Sequence, residues 1–384
     1  MAEGRNGWEN KLREKNFSGK KIWFHCASLG EFEQGRPLIE SIKKKYPNYS
    51  IIVTFFSSSG YEVRKDYDLA DHVCYLPFDG RNSSMKFIAL LRPDMAIFIK
   101  YEFWYYYLHE LKKQRIPTFS VSAIFRPDQQ FFKKDGSFFR EMLSCFDHFF
   151  VQNMQSKELL NNQGFENVSI SGDTRFDRVM EICSNPRAIE RARIFKGDSK
   201  VMVIGSSWHD DIEVLLPIIN DHELNLKYII APHEIGGSKI SKLCAGLKAN
   251  FQLFSKADTS TLAQSKVLVI DNIGMLSSLY QYGEIAYIGG AFGAGLHNIL
   301  EAATFGMPII FGKGKENSKY QEATDLIKNG GAFEVSDSVA LKSIVTKLIN
   351  DAAELKKTSN VSREYVISKT GAAKMIMDFL TKYF

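Results

Sequence analysis

Short apolar runs alternate with longer amphipathic stretches along the whole chain. KIWFHCAS, YSIIVTFFS, HVCYLP, DMAIFIK, TFSVSA and HFFVQ read as strands in the first half, and NVSISG, KVMVIGSS, KYIIAPH, KVLVID, EIAYIGG and MPIIFG in the second. Between them, stretches such as Glu33–Tyr46 and Phe103–Gln114 place apolar residues at helical spacing. This order of strand and helix predicts an α/β protein with parallel sheets and helices on both faces. The strands end in small, polar or glycine residues, and ligands of such sheets bind beyond the strands' carboxyl ends. A break near SGDTRFDR, around Gly172, divides the pattern into halves of 1–172 and 173–363. The last stretch, 364–384, reads as a helix packing back across the junction.

Length favours that division, because 384 residues exceed what one core usually organises. A content of 45% hydrophobic and 24% charged residues is ordinary for a soluble globular protein. The net charge of +5 is mild and no basic arm is present, so nucleic acid is not an expected partner. The five cysteines, Cys26, Cys74, Cys145, Cys183 and Cys244, are scattered and odd in number, which suits a reducing cytosol. No apolar run reaches the ~18 residues that span a bilayer. The start, MAEGRNGWENKLREK, has no signal-peptide core.

The densest chemistry lies in Tyr287–Gly312, YIGGAFGAGLHNILEAATFGMPIIFG. It reads as strand, glycine loop, helix opening at His297-Asn298, and strand. Gly289, Gly290, Gly293 and Gly295 let the backbone approach a ligand, and the helix start suits a phosphate. Glu301 lies one turn after His297, on its face, and can accept both hydroxyls of a ribose. Phosphate and ribose together point to a nucleotide, as in nucleotide-sugar transferases. In VIGSSWHDD, the hydroxyls and amides of Ser206 and Ser207 at a helix start suit a phosphate or sugar carboxylate. His233, after the strand of IIAPHE, either reaches a phosphate or is structural. The turn at Ile273, Gly274 and Met275 offers backbone groups that can read a base edge.

In the first half, HCASLGEFEQGRPLIESI ends a strand at Cys26, turns at Gly30, and sets Glu31 at the sheet's carboxyl edge. Glu31 is either a general base for an attacking hydroxyl or a stabilising acid in the first helical turn. Glu102 follows the strand of IFIKYEFWYYYL, beside Lys100 and Trp104. It orients Glu31 or the acceptor, or merely opens a helix. Phe131 to Phe139 interleave with Lys133, Lys134 and, nearby, Arg126 and Arg140; their spacing is poor for one buried face and predicts contact with anionic lipid. There is no metal-ligand cluster, no G-x-S-x-G elbow and no G-x-x-x-x-G-K-[ST] loop. No metal or other cofactor is therefore expected. Two Rossmann-like domains facing a central cleft, as these motifs require, form the GT-B arrangement.

In this order, ASLGE (Ala27–Glu31), KYEFW (Lys100–Trp104), SAIFR (Ser122–Arg126), GDTRFD (Gly172–Asp177), APH (Ala231–His233), DNIGML (Asp271–Leu276), GGAFGAGLHNILEAA (Gly289–Ala303) and the region of Asn317 resemble the Kdo transferases. FEQGRPLIE, KYEFW and GDTRFDRV resemble that family's Bacteroidetes branch. The resemblance covers nearly the whole chain. It implies a GT-B glycosyltransferase that moves Kdo (3-deoxy-D-manno-oct-2-ulosonic acid) from CMP-Kdo to lipid IVA, the tetraacyldisaccharide 1,4'-bisphosphate precursor of lipid A. By resemblance Glu31 is the base, Glu102 its companion, and Glu301 the ribose ligand with Asn298 at the helix start. Ser206, Ser207, His233 and Arg175 would meet the donor; Gly30, Lys100, Arg126, Lys133 and Lys134 would meet the acceptor. Ala231-Pro232-His233 stands where many members have Pro-Arg-His, so the arginine is missing; Met275 stands where many have glutamate, and Arg175 where many have lysine. Members usually begin with an apolar anchor; the expectation is a chain cut after it, with Met1-Ala2 left from cloning, working at the anionic cytoplasmic face of the inner membrane. The rival readings are a UDP-sugar transferase, a nucleotide-sugar epimerase, and a non-catalytic nucleotide-binding protein.

Overall fold

A computed structural model describes residues 5–384; the reading of Met1-Ala2 lies outside the described residues. The chain forms two compact units. One runs to Arg178 and takes in Lys369–Phe384, and the other is Val179–Ser368.

The first unit holds strands β1 (Lys21–Cys26), β2 (Ser50–Phe55), β3 (His72–Tyr75), β4 (Met95–Ile99), β5 (Thr118–Ala123), β6 (His148–Val151) and β7 (Val168–Ile170). They form a parallel sheet in the order β3-β2-β1-β4-β5-β6-β7. Side chains alternate across a sheet, and here both faces are covered. Ile22, Phe24 and Cys26 of β1 enter one core cluster while Trp23 enters the other. Burial on both faces explains why the strands read as unbroken apolar runs.

The second unit holds β8 (Val201–Ser207), β9 (Lys227–Pro232), β10 (Phe251–Leu253), β11 (Val267–Val269), β12 (Ile285–Ile288), β13 (Ile309–Gly312) and β14 (Ala332–Val335). Their order is β10-β11-β9-β8-β12-β13-β14, again parallel throughout. Two of these, β10 and β14, are edge strands that the hydrophobic pattern does not single out.

The stretch read as one helix from residue 364 is broken in the structure. Helix Ala352–Ile367 ends, Gly371 takes a φ of 105°, and helix Ala372–Leu380 begins. Asp177 fixes the break by accepting the backbone N–H groups of Gly371 (2.7 Å) and Ala373 (3.0 Å). The last helix lays Ala373, Ile376, Met377 and Leu380 into the first unit's core beside Phe24 and Ile97.

Candidate active site

The strand order reverses between β1 and β4 in the first sheet and between β8 and β12 in the second, where β11 also folds back between β9 and β10. Such switch points open a crevice at the carboxyl ends of the strands. The residues singled out in the sequence fall on both.

At the first, helix Leu29–Lys45 opens with a capping box. The Ser28 N–H donates to Glu31 Oε2 (3.1 Å), and the Glu31 N–H reaches Ser28 Oγ (3.5 Å). Glu31 is thus both a first-turn acid and a carboxylate at the strand edge. Burial pushes its carboxyl up to about 7, with the Glu102 charge adding to the rise. Backbone N–H groups at Ala27 and Ser28 and the Lys100 ammonium pull the other way. A carboxylate poised there is matched to proton abstraction near neutral pH. Glu102 lies in the loop after β4, accepting from Trp104 Nε1 (2.6 Å) and meeting His25 Nε2 at 3.0 Å. Gly30 differs from expectation: it sits in the helix's first turn without a positive φ, and a Cβ there would find nothing nearer than Ser28 Oγ at 3.9 Å. The turn does not need a glycine.

Three non-glycine residues at strand ends adopt left-handed backbone: Lys100 after β4 (φ 68°), Ser122 in β5 (φ 53°) and Ser206 in β8 (φ 52°). At Ser122 and Ser206 the pairing register also shifts, as in a β-bulge. Bulges and strained residues cost about 1–3 kcal/mol each and concentrate where a sheet aims groups at a ligand. The bulged Ser122 contacts Thr174 Oγ1 through its hydroxyl (2.9 Å), and Thr174 Oγ1 donates to the Gln34 carbonyl (2.6 Å). Beside them Asp173 accepts Gln34 Nε2 (3.0 Å) and Arg175 Nε (2.8 Å), which aims the Arg175 guanidinium.

At the second switch point, Ser206 and Ser207 end β8 instead of opening a helix; the helix that follows is His209–Ile219. Ser207 Oγ is buried with no hydrogen-bond partner among the described residues. Asp211, fully buried, ties this strand end to the glycine loop. It accepts the Trp208 N–H (2.8 Å), the Gly290 N–H (2.8 Å) and the Tyr287 hydroxyl (2.9 Å). Burial raises its pKa and these three donors oppose the rise.

The glycine loop differs from its sequence reading. Gly290 (φ 94°) and Gly295 (φ 99°) fold it into a turn in which the Gly295 N–H donates to the Gly290 carbonyl (2.8 Å). The helix therefore starts later, at Leu300, and is one turn long, Leu300–Thr304. Asn298 Oδ1 accepts the Leu300 N–H (3.1 Å), and Asn298 Nδ2 reaches Glu301 Oε1 (3.3 Å). His297 precedes the helix and does not share a face with Glu301. Its ring instead stacks on His233 (centroids 4.6 Å apart) and its Nε2 accepts Trp208 Nε1 (2.9 Å). That bond requires a neutral ring, and burial, then the nearby His233, holds the His297 pKa down. Gly290 has a second constraint, since a Cβ there would lie 2.3 Å from the Gly295 carbonyl oxygen. Gly290→Ala is expected to cost about 2–4 kcal/mol in urea unfolding.

The turn at Ile273, Gly274 and Met275 lines a pocket of about 460 Å³ with Arg187, Arg191 and Phe254. Ile273 is 81% exposed there. The aromatic segment is corrected: Phe125 and Phe131 are core residues, and Phe132 and Phe139 pack against that core. Phe138 is exposed and stacks on Tyr105, and Arg126, Lys133 and Lys134 are exposed as well.

A family model described as 3-Deoxy-D-manno-octulosonic-acid transferase (kdotransferase) matches residues 3–178. The 3-deoxy-D-manno-octulosonic acid transferase of Aquifex aeolicus is 29% identical over 360 residues, covering 91% of this chain and 91% of its own. That of Rickettsia felis is 27% identical over 379 residues, covering 96% and 81%. Over most of its length the chain is similar to the Kdo transferases. It is accordingly a glycosyltransferase, and the family's work is Kdo transfer in lipopolysaccharide synthesis. Among solved structures, UDP-GlcNAc 2-epimerase from Neisseria meningitidis bound to UDP-GlcNAc superposes with a TM-score of 0.64 at 18% identity, covering 94% of this chain and all of that one. MurG of Acinetobacter baumannii gives 0.60 at 12% identity, covering 95% and 100%. At such identities the likeness concerns the fold alone, which is GT-B.

Proposed function

We propose that this protein transfers Kdo from CMP-Kdo to lipid IVA with inversion at the anomeric carbon. The observation that carries the reading is Glu31, a carboxylate at the β1–β4 switch point raised to about 7. Glu31 takes the proton of the acceptor's primary hydroxyl as that oxygen attacks the anomeric carbon of Kdo. The C–O bond to the cytidine phosphate breaks with its electron pair leaving on the phosphate. Positive charge grows on the sugar and negative charge on the leaving group.

The second unit holds the donor in this proposal. The free Ser207 hydroxyl and the strained Ser206 backbone meet the phosphate or the Kdo carboxylate, with His233 beside them. The Ile273–Met275 turn reads the base, and Asn298 and Glu301 hold the ribose. In the first unit Arg175, Lys100 and Arg126 supply positive charge for phosphate groups. No metal or cofactor enters the proposed reaction. Lys133, Lys134 and Phe138 would rest on the anionic cytoplasmic face of the inner membrane. Among the described residues no helix is long and apolar enough to cross a membrane, which suits a peripheral attachment.

The test is incubation with tetraacyldisaccharide 1,4'-bisphosphate and CMP-Kdo generated in place, with the lipid weighed by mass spectrometry. A Kdo increment, with competition by CMP stronger than by UMP, is the expected result. No increment from the folded protein, or preference for a uridine nucleotide, would overturn the proposal.

A further inference from the structure

Behind Glu102 runs a buried polar line that the mechanism above leaves unused. His25 sits inside β1 with no exposed surface, among the rings of Trp23, Phe98 and Trp104. Its Nε2 is 3.0 Å from Glu102 Oε2 and its Nδ1 is 2.8 Å from Thr54 Oγ1. Thr54, on the neighbouring β2, also accepts Trp23 Nε1 at 2.8 Å. Burying a polar ring costs free energy unless its nitrogens are hydrogen-bonded, and both of these are.

Proton bookkeeping orders this line. An ionised Glu102 only accepts, so His25 Nε2 carries a proton and donates to it. In the neutral ring Nδ1 is then an acceptor, and Thr54 gives it the hydroxyl proton; the alternative partner, the Phe24 carbonyl, is farther at 3.4 Å. The Thr54 oxygen is in turn occupied by the Trp23 N–H. Each member thus fixes the next: Trp23 and Thr54 set the tautomer, the tautomer sets the donor, and the donor with Trp104 Nε1 sets Glu102.

We propose that His25, its tautomer fixed by Thr54, is a positioning residue that holds the Glu102 carboxylate where its charge bears on the catalytic base Glu31. The inference rests on the reading of Glu31 as base. Glu31 is faced by Glu102 and Lys100 from the β4 loop, by the buried Cys26 thiol of β1, and by Tyr101. Glu102 is the negative neighbour that raises its proton affinity. Losing that neighbour's fixed position weakens the base.

The experiment compares the pH profile of kcat/KM for Kdo transfer in the parent, Thr54→Val, His25→Phe, His25→Gln and Glu102→Gln. Thr54→Val preserves shape, so it guards against a folding failure at His25. The acid limb is expected to move to lower pH by about one unit in Glu102→Gln and by a similar or smaller amount in Thr54→Val and His25→Phe, with lower plateau rates. His25→Gln, whose amide can donate to Glu102, should keep the parent's limb. Folded variants that lose rate with an unmoved limb would reduce His25 to a structural residue and overturn the proposal. A readout free of turnover keeps the two hypotheses apart. Nitrogen-15 resonances of the neutral His25 ring should show Nε2 protonated and Nδ1 bare, and the carbon-13 titration of Glu31 should shift down in Thr54→Val and Glu102→Gln. If the parent transfers no Kdo but these resonances behave so, the functional reading fails and the relay stands. The opposite tautomer, or an unmoved Glu31 titration, sinks the relay whatever the enzyme does.

Discussion

Glu31→Gln is expected to lower kcat/KM for Kdo transfer by about 10²–10⁴-fold, the usual worth of a positioned general base. The same substitution should stabilise the fold at alkaline pH. Glu31 titrates near 7 in the folded protein against an ordinary 4.5, so between those values the native state binds the extra proton. Stability from this group is complete below the ordinary value and falls as pH rises to about 7. The loss is on the order of 2–3 kcal/mol above that point. Glutamine keeps the shape and can still accept the Ser28 N–H, yet never carries the buried charge. Urea unfolding at pH 5 and pH 8 should show that dependence in the parent and its loss in the variant. A variant equally pH-dependent, or a parent whose rate does not climb as pH rises toward 7, would contradict the assignment of Glu31.

Asp211→Ala is the second large effect, and it acts through structure. Removing the carboxylate leaves the Trp208 N–H, the Gly290 N–H and the Tyr287 hydroxyl without a buried acceptor. Each such orphan costs about 1–3 kcal/mol, so a total of roughly 3–9 kcal/mol is expected. That is a large share of what a typical domain has. Nucleotide binding by any protein still folded should weaken too, since the glycine loop loses its tie to β8. Asp211→Asn keeps an acceptor oxygen and should fall well short of both effects. Unfolding midpoints for the two variants, with CMP binding by calorimetry, check the pair; equal midpoints would show that the three hydrogen bonds to Asp211 are not what holds the loop.

Most of the strands were visible in the pattern because parallel strands buried on both faces read as continuous apolar runs. The edge strands β10 and β14 were not, since β10 is three residues beginning at a partly exposed phenylalanine and β14 is half-covered. Glu31 and Glu102 could be placed because the ends of strands are legible and a carboxylate at one stands out. His25 and Thr54 could not: a single polar residue inside a strand carries no periodic signal, and its partner lies 77 residues away for Glu102. Asp211 was one of two adjacent acids, and only Gly290, 79 residues on, shows which is buried. The helix expected at His297 begins at Leu300 because turn bonds between glycines compete with helix bonds, a contest that spacing alone does not decide. Phe131 was misjudged for a related reason. Its packing partners Phe103 and Phe125 come from other segments, so helical spacing within its own stretch says little.

The helix Ala372–Leu380 has a consequence for how the molecule is made. The core of the first unit is closed by a segment translated after the whole second unit, in which the Phe384 carbonyl accepts from Lys20 Nζ (2.7 Å) and the Tyr49 hydroxyl (3.0 Å). Residues 179–368 must all be translated in between. At about 5–20 residues per second that interval is roughly ten to forty seconds. Throughout it, Phe24, Ile97 and their neighbours lack their final cover while the second unit is already free to form. A nascent chain stalled before Ala372 should therefore carry an open apolar face and engage chaperones. The order of synthesis is thus reversed in the order of completion: the half begun first is finished last.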